Sequence, residues 1–271
     1  MTNLPVLNDS ELTLTKRVAT LTMVRDDVRN ALTGTELTED ILKVCEWVNQ
    51  TPEVSVLVIT GTGKAFSAGG NIKDMRDRKD IFAGDAHQIQ MNYREGIQRI
   101  PLAMHSLEIP TIAAINGAAV GAGFDLSCMC DIRLAATGAK MGETFINLGI
   151  IPGDGGAWFL QRLIGYQKAA ELTFSGRLID AEEALALGIV MRVTEAEALM
   201  PAALEMAEDF AAKPPQALRY IKRLMKKAQR QTLPDFLEAC ALFQGICHHT
   251  DDHLEAVNAF IEKRAPEFKG R

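Results

Sequence analysis

Two apolar runs that each end at a glycine-rich loop constrain this chain more than any other feature. Residues 54–60 (VSVLVIT) form an unbroken, largely β-branched run, and the glycine-rich segment 61–71 (GTGKAFSAGGN) follows it. Residues 111–116 (TIAAIN) repeat this arrangement directly before GAAVGAG (117–123). A strand without alternating polar residues is typical of a parallel sheet that helices cover on both faces. The two runs therefore predict an α/β fold.

The second run belongs to an apolar stretch, residues 111–130, that is long enough to cross a membrane. Asn116, Asp125 and three glycines interrupt this stretch, and no aromatic or basic residues anchor its ends. A buried strand that leads through a glycine turn into a buried helix explains the stretch better. We therefore expect no membrane partner.

The composition argues against several other classes of protein. The chain has 29 basic and 35 acidic residues and a formal net charge of −6, whereas nucleic-acid binding needs a basic surface. Its five cysteines include no C-x-x-C pair, and its first ten residues lack the pattern of a signal peptide. The histidines and aspartates of residues 248–253 have no second cluster with which to form a metal site. We expect a cytoplasmic protein that binds neither nucleic acid nor a metal.

The periodicity divides the chain into a mixed core, residues 1–195, and a helical region, residues 196–271. Alternating residues predict an N-terminal hairpin, and no strand pattern remains beyond about residue 197. The other predicted elements are helices at 35–49 (with Thr35 as its cap), 86–107, 156–175 and 181–187, and strands at 132–136 and 189–193. The apolar residues of the helical region exceed what a small bundle can bury, which predicts contact with other copies of the chain.

The glycine-rich loops match neither common nucleotide-binding motif. Gly63-Lys64 lacks the glycine and the hydroxyl residue of a phosphate-binding loop, and G-x-G-x-x-G fails at both Gly61 and Gly121. Glycine and alanine leave backbone N–H groups accessible at strand ends and helix starts. Two such groups from different loops form an oxyanion hole for a carbonyl that becomes an enolate. The candidate loops are 67–70 and 121–123.

Five segments in sequence order resemble the enoyl-coenzyme A hydratase/isomerase (crotonase) superfamily. They are FSAGGNIKDM (66–75), the segments 109–135, 148–165 and 172–193, and EAVNAFIEKRAPEFK (255–269). The resemblance implies a spiral core of ββα units with a C-terminal α-helical oligomerisation region, assembled as a trimer or a dimer of trimers. It also implies an acyl-CoA thioester as substrate and no separate cofactor.

The family's binding residues are carried over to matching positions. The resemblance implies that the amides of Ala68 and Ala122 form the oxyanion hole. The implied substrate contacts are Arg29, Ala31, Phe66, Ala68, Gly70, Asn71, Ile72, Gly121, Phe145, Phe260 and Lys263. Phe260 and Lys263 are three residues apart and are expected to share a helix face that completes a neighbour's site. Asn71 departs from the aspartate that is common in the family.

The catalytic positions depart from the family pattern. Family hydratases use two glutamates, and Asp125 occupies the first of these positions while Phe145 occupies the second. Phe145 cannot transfer a proton, so Asp154 and Glu143 are the remaining candidates for a second acid. Asp154 is alternatively a helix cap, and Glu143 is alternatively structural, because the neighbouring position points inward in the family. For Asp125 the alternative is a buried ion pair.

These residues predict the hydration of a 2-enoyl-CoA, with Asp125 as the main acid or base. A double-bond isomerase is an alternative because one carboxylate suffices to move a proton. A hydrolase of carbon–carbon bonds in β-keto substrates is another, and a non-catalytic acyl-CoA-binding protein is a third.

Overall fold

The computed structural model describes residues 3–271 of the chain. Within this range, ten strands are β1 (Ser10–Thr15), β2 (Val18–Met23), β3 (Val56–Gly61), β4 (Ala65–Ser67), β5 (Thr111–Ile115), β6 (Ala118–Val120), β7 (Ile132–Ala136), β8 (Lys140–Gly142), β9 (Ile179–Asp180) and β10 (Arg192–Thr194). The α-helices are α1 (Leu37–Gln50), α2 (Ile72–Asp77), α3 (Ala86–Glu95), α4 (Arg99–Ser106), α5 (Ala122–Met129), α6 (Gly156–Ile164), α7 (Tyr166–Ser175), α8 (Ala181–Leu187), α9 (Ala196–Ala211), α10 (Pro215–Ala228), α11 (Leu233–His248) and α12 (Asp251–Glu262). The mixed α/β class predicted from the apolar runs is confirmed.

The strands form two sheets because each glycine-rich loop carries the chain from one sheet to the other. The larger sheet has the order β1-β2-β3-β5-β7-β10, and the smaller has the order β4-β6-β8-β9. The predicted hairpin of β1 and β2 is antiparallel, and every other pairing in the larger sheet is parallel. Between β5 and β6 the chain passes so close to the Lys64 carbonyl that a Cβ at Gly117 would overlap it. Glycine is therefore required where the chain changes sheets.

Helices cover both faces of the larger sheet. Strand β5 is buried along its whole length, as its unbroken apolar run predicts. One face packs against the main core, and the other packs against Leu199, Ala203 and Ala207 of α9. The helical region thus begins at α9 as predicted, yet α9 forms a layer of the core.

A row of cations on α10 attaches the helical region to the core. Arg219, Lys222 and Lys226 are three and four residues apart and therefore share one face of the helix. Their acceptors are backbone carbonyls at or just beyond the ends of α1 and α4: Val48, Thr51 and Val54 for Arg219, Ile109 for Lys222, and His105 and Leu107 for Lys226. The cations thereby satisfy carbonyls that have no partner within a helix.

Several predicted helix boundaries are wrong because glycines interrupt the helical pattern. The segment 86–107 forms two helices separated at Gly96, and the segment 156–175 forms two helices separated at Gly165, which has a φ of +80°. Helix α1 begins after Glu36, although the Thr35 hydroxyl accepts a hydrogen bond from the Leu37 amide.

The predicted strand 189–193 is also displaced, because β10 covers only Arg192–Thr194. The apolar stretch 111–130 divides into β5, β6 and α5. Across residues 3–271 we find no helix with the length and apolarity needed to cross a bilayer.

Candidate active site

Three acidic side chains from separate elements meet in the interior. Asp125 lies on α5, Glu143 directly follows β8, and Asp154 precedes α6. Their exposed fractions are 0%, 1% and 3%. No donor among residues 3–271 reaches either oxygen of Asp125, and the carboxyls of Asp154 and Glu143 are its charged neighbours. Because three ionised carboxylates buried side by side would repel one another, we expect this cluster to retain at least one proton.

Burial determines where that proton lies. Burial raises the pKa of Asp125 well above its usual range, and the negative charges of Asp154 and Glu143 raise it further. Burial also raises the pKa of Asp154 and Glu143, but the proximity of the Asp125 carboxyl opposes this effect at both groups. Three adjacent buried carboxylates would repel one another. Asp125 is therefore the member of the cluster that retains a proton most strongly.

Glu143 points into the cluster, contrary to the interpretation that only its neighbour faces inward. One of its oxygens, Oε2, accepts a hydrogen bond of 2.5 Å from the Thr173 hydroxyl on α7. The other, Oε1, is buried and has no donor among residues 3–271. Thr173 carries no motif in the sequence and was not predicted.

Asp154 is not a helix cap. The residue that caps α6 is Gly155, and no side chain makes a capping hydrogen bond there. Asp154 Oδ1 is instead buried without a donor among the described residues. Gly156 opens α6 beside Asp125, where a Cβ would overlap the carboxylate. The glycines of this loop thus let two acidic side chains approach the start of a helix.

Loop 67–70 carries one of the two predicted oxyanion donors, and the amide of that donor already makes a hydrogen bond. The Ala68 amide donates a hydrogen bond of 2.9 Å to the Arg29 carbonyl, and the Gly69 amide donates to Ser67 Oγ at 3.1 Å. Gly70 has the next amide along this loop, and it makes no hydrogen bond within residues 3–271. The Ala68 amide already has an acceptor because the loop pairs with the segment around Ala31, and its role as an oxyanion donor stays a prediction. Gly70, predicted as a substrate contact, has an N–H without an acceptor among the described residues.

The second predicted donor is compatible with the structure. Ala122 is the first residue of α5, so its amide has no acceptor within the helix. A Cβ built at Gly69 would lie 2.8 Å from this amide nitrogen, which shows that the two loops touch. Gly121 reaches this position with a φ of +54°. The loops therefore converge as the sequence predicted.

The remaining predicted contacts near this loop differ in exposure. Arg29 and Ile72 are exposed, and Ile72 lines a cavity. The Phe66 side chain is fully buried in the core, and a contact of this residue with the substrate stays a prediction. Asn71 accepts a hydrogen bond of 3.0 Å from the Lys73 amide and caps α2. Asn71 thus supports the turn that places Gly70.

Two largely apolar cavities of about 490 and 620 Å³ share Tyr93 and Ile150. Ile72 lines the first and Gly153 the second, so they extend from the loop of Gly70 to the loop of Asp154. Burial and the charge of Asp154 raise the pKa of Tyr93, which therefore remains a neutral phenol. Tyr93 was not predicted, because nothing in the helical pattern of α3 distinguishes it.

A third cavity of about 360 Å³ reaches Glu143 from the side of α7. Phe145 and Thr173 line it, together with the exposed Phe174. The Phe145 ring also lies against Gly121, 3.6 Å from where a Cβ would be. An aromatic ring therefore replaces the family's second acid beside the loop that carries Ala122.

Phe260 and Lys263 do not share a helix face. Helix α12 ends at Glu262, and Lys263 follows it in a left-handed conformation with a φ of +55°. Phe260 is 87% exposed. Their contact with the substrate of a neighbouring copy stays a prediction. Among the residues described, no three His, Cys, Asp or Glu side chains have the arrangement of a metal site.

Comparison with known proteins adds independent information. A family model described as "Enoyl-CoA hydratase/isomerase" matches residues 13–271. A short-chain-enoyl-CoA hydratase of Clostridium acetobutylicum is 35% identical over 267 residues, covering 98% of this chain and 99% of that protein. A 1,2-epoxyphenylacetyl-CoA isomerase of Escherichia coli is 32% identical over 256 residues, covering 94% and 96%. The crystal structure of an enoyl-CoA hydratase from Bacillus anthracis superimposes with a TM-score of 0.90 at 34% identity, covering 97% of this chain and all of that one.

Proposed function

Because the chain belongs to the enoyl-CoA hydratase/isomerase family, we propose that it adds water to the double bond of a 2-enoyl-CoA thioester. The observation that carries this proposal is the buried carboxyl cluster beside two converging loops. Hydration needs one group that takes a proton from water and another that gives a proton to the α-carbon. Asp125 and Asp154 are two neighbouring buried carboxyls that can supply both.

The loops stabilise the charge that develops on the thioester. When water adds to the β-carbon, electrons move to the carbonyl oxygen, and an enolate forms. We assign its stabilisation to the amides of Gly70 and Ala122, with the N-terminal dipole of α5 adding to the effect. One amide donor of this kind typically contributes about 3 kcal/mol to the transition state.

The proton steps follow from the state of the cluster. Ionised Asp154 takes a proton from the attacking water as the new C–O bond forms at the β-carbon. Protonated Asp125 gives its proton to the α-carbon, and the enolate returns to a thioester. Asp154 then holds a proton and Asp125 does not. Because the two carboxyls are neighbours in the buried cluster, the proton returns to Asp125, which retains it more strongly, and the starting state is restored.

The second candidate is a double-bond isomerase. Two observations favour it: an aromatic ring stands where the family's second glutamate is expected, and one relative is named as an isomerase. An isomerase moves a single proton between two carbons, and Asp125 alone suffices for that step.

A mass measurement separates these candidates. The purified protein is incubated with crotonyl-CoA and, separately, with 3-butenoyl-CoA, while enoyl absorbance and product mass are followed. Hydration predicts that crotonyl-CoA loses its enoyl absorbance and gains the mass of one water. Conversion of 3-butenoyl-CoA to crotonyl-CoA without hydration would support the isomerase instead. Binding of both thioesters without turnover would indicate a non-catalytic acyl-CoA-binding protein.

We further propose that the chain assembles as a trimer or a dimer of trimers in the cytoplasm. The exposed apolar side chains of α11 and α12 support assembly, because water-facing side chains such as Leu242, Phe260 and Ile261 are unfavourable in a monomer. Five free cysteines, three of them buried, fit a reducing compartment.

A further inference from the structure

Thr173 is the only hydroxyl or amide donor to the Glu143 carboxyl among residues 3–271. Its hydroxyl lies 2.5 Å from Glu143 Oε2, inside the chain and at the end of the cavity that Phe145 lines. A second contact fixes the same two segments, because Asn147 Nδ2 donates to the Gly176 carbonyl at 2.7 Å. The segment after β8 is therefore held against α7 at two points. Loss of the Thr173 hydroxyl alone leaves the second contact in place.

The groups that face Glu143 come from every element around it. Asp125 and Cys128 lie on α5, Asp154 lies before α6, and Thr173 lies on α7. Burial raises the pKa of Cys128 to about 12, so this thiol is neutral. Asp125 and Asp154 place either a negative charge or a carboxyl proton beside Glu143. Thr173 is thus the one group in this set that stabilises a negative charge on Glu143 without supplying an exchangeable carboxyl proton.

We propose that Thr173 is a positioning residue that holds Glu143 as an ionised member of the carboxyl cluster and thereby retains the catalytic proton on Asp125. Glu143 in this state acts on Asp125 through its negative charge and does not transfer a proton itself. This inference deepens the proposed function, on which its catalytic consequence rests. The hydrogen-bond arrangement it describes is independent of the reaction.

Removal of the Thr173 hydroxyl is expected to weaken the stabilisation of ionised Glu143. Without Thr173, the ionised form of Glu143 loses its hydroxyl donor, and the protonated form becomes favoured. A protonated Glu143 no longer places a negative charge beside Asp125, so the ionised form of that aspartate becomes less unfavourable. Asp125 is then protonated in fewer molecules and gives its proton to the α-carbon less often.

The test is an infrared titration of three variants. The carboxylic-acid stretching band of Glu143 is identified as the band that is missing in Glu143→Gln. In Thr173→Val this band is expected to disappear at a pH higher by about one pH unit or more than in the parent protein. Thr173→Ser keeps the hydroxyl and is expected to titrate like the parent. If Thr173→Val does not fold, as judged by circular dichroism, Thr173→Ala is titrated in its place.

The pH profile of crotonyl-CoA hydration provides the second readout. In Thr173→Val, the acidic limb of the kcat/KM profile is expected to move to higher pH together with the infrared titration. In Thr173→Ser, the acidic limb is expected at the same pH as in the parent protein. An unchanged infrared titration in Thr173→Val would overturn the role of Thr173 even if the protein is a hydratase. A shifted titration in a protein without hydratase activity would leave that role intact and overturn the proposed function.

Discussion

At the scale of single residues, the protonation of Asp125 is the property on which the proposed chemistry depends. Its carboxyl is fully buried, has no hydrogen-bond donor among the described residues and lies beside two other carboxyls. Burial accounts for the largest part of its raised pKa, and the two neighbouring acids increase the effect. The same burial that makes Asp125 an acid at neutral pH also makes its ionisation costly to the folded protein.

Asp125→Asn is expected to lower kcat for crotonyl-CoA hydration by at least about 100-fold, because an amide cannot give or take the proton. Binding of butyryl-CoA, a saturated thioester that does not react, is expected to change little. Isothermal titration calorimetry and the absorbance assay measure the two effects. Turnover close to that of the parent would show that Asp125 is not the proton donor.

The same substitution is expected to change how stability depends on pH. The pKa of Asp125 is higher in the folded state than in the unfolded state, so the folded state binds more protons. Stability therefore falls as pH rises above the unfolded value of about 3.9. Asparagine does not ionise, so the Tm of Asp125→Asn relative to the parent should increase from pH 5 to pH 8. A Tm difference that is constant over this range would contradict the raised pKa.

Asp154→Ala separates a catalytic from a structural role. If Asp154 accepts the proton from water, this substitution is expected to lower kcat by about 100-fold or more, which is a barrier increase of about 3 kcal/mol. A lost helix cap would instead cost about 1 kcal/mol of stability and spare the reaction. Because Asp154 does not cap α6, we expect no decrease in Tm. Steady-state kinetics and differential scanning fluorimetry on one preparation provide both values.

At the scale of elements, α10 connects the helical region to the core through its row of cations. Lys222 is only 7% exposed and donates to the Ile109 carbonyl at 2.6 Å and to Asp131 Oδ2 at 2.7 Å. Asp131 in turn accepts from the Thr111 amide at the start of β5. One lysine thus joins α10, the end of α5 and a central strand.

Lys222→Met is expected to destabilise the protein by about 2 kcal/mol, because a buried carbonyl and a carboxylate lose a charged donor. For a chain of this size, that corresponds to a decrease in Tm of roughly 4–8 °C. Lys227→Met is the matched control on the same helix, since the Lys227 amine makes no hydrogen bond among the described residues. Equal Tm values for the two variants would show that the cation row does not hold α10.

At the scale of the whole molecule, the surface of α11 and α12 indicates assembly. Exposed apolar side chains occur along both helices: Leu233 (68%), Leu237 (54%), Leu242 (66%), Ile246 (46%), Leu254 (62%), Phe260 (87%) and Ile261 (71%). Helix α11 has no fully buried residue in a single chain, although the Phe243 ring stacks on Tyr220 of α10. We therefore expect α11 to gain further packing energy from another copy of the chain.

Truncation after Arg230 is expected to abolish both the trimer and acyl-CoA binding. Leu242→Glu combined with Ile246→Glu is the finer test, because these residues share one helix face and the remainder of the chain is unchanged. Light scattering reports the mass, and circular dichroism reports the fold. A folded monomer of the double variant is the expected result. A parent protein that is already monomeric and fully active would contradict the proposed assembly.

Local sequence patterns determined the architecture and the first acid of the site. The unbroken run of β5 and the glycines that follow it required a covered parallel sheet with tight turns, because only glycine fits where β5 passes to β6. An aspartate in an otherwise apolar helix needs a partner, a proton or a cavity for its charge, and this identified Asp125 as the candidate acid. Sequence resemblance identified the family, which the comparisons confirm.

Only the tertiary structure decided which hydrogen-bonding groups of the site are free to contact a substrate and which already have a partner within the chain. Residues 29 and 68 are far apart in sequence, so no local pattern shows that the Ala68 amide already donates to the Arg29 carbonyl. Thr173 and Glu143 are 30 residues apart, and their hydrogen bond exists because α7 packs on the segment after β8. Sequence patterns predict which residue types line an interior. Hydrogen bonds and proton positions depend on distances of a few tenths of an ångström between distant segments, and these arise only on folding.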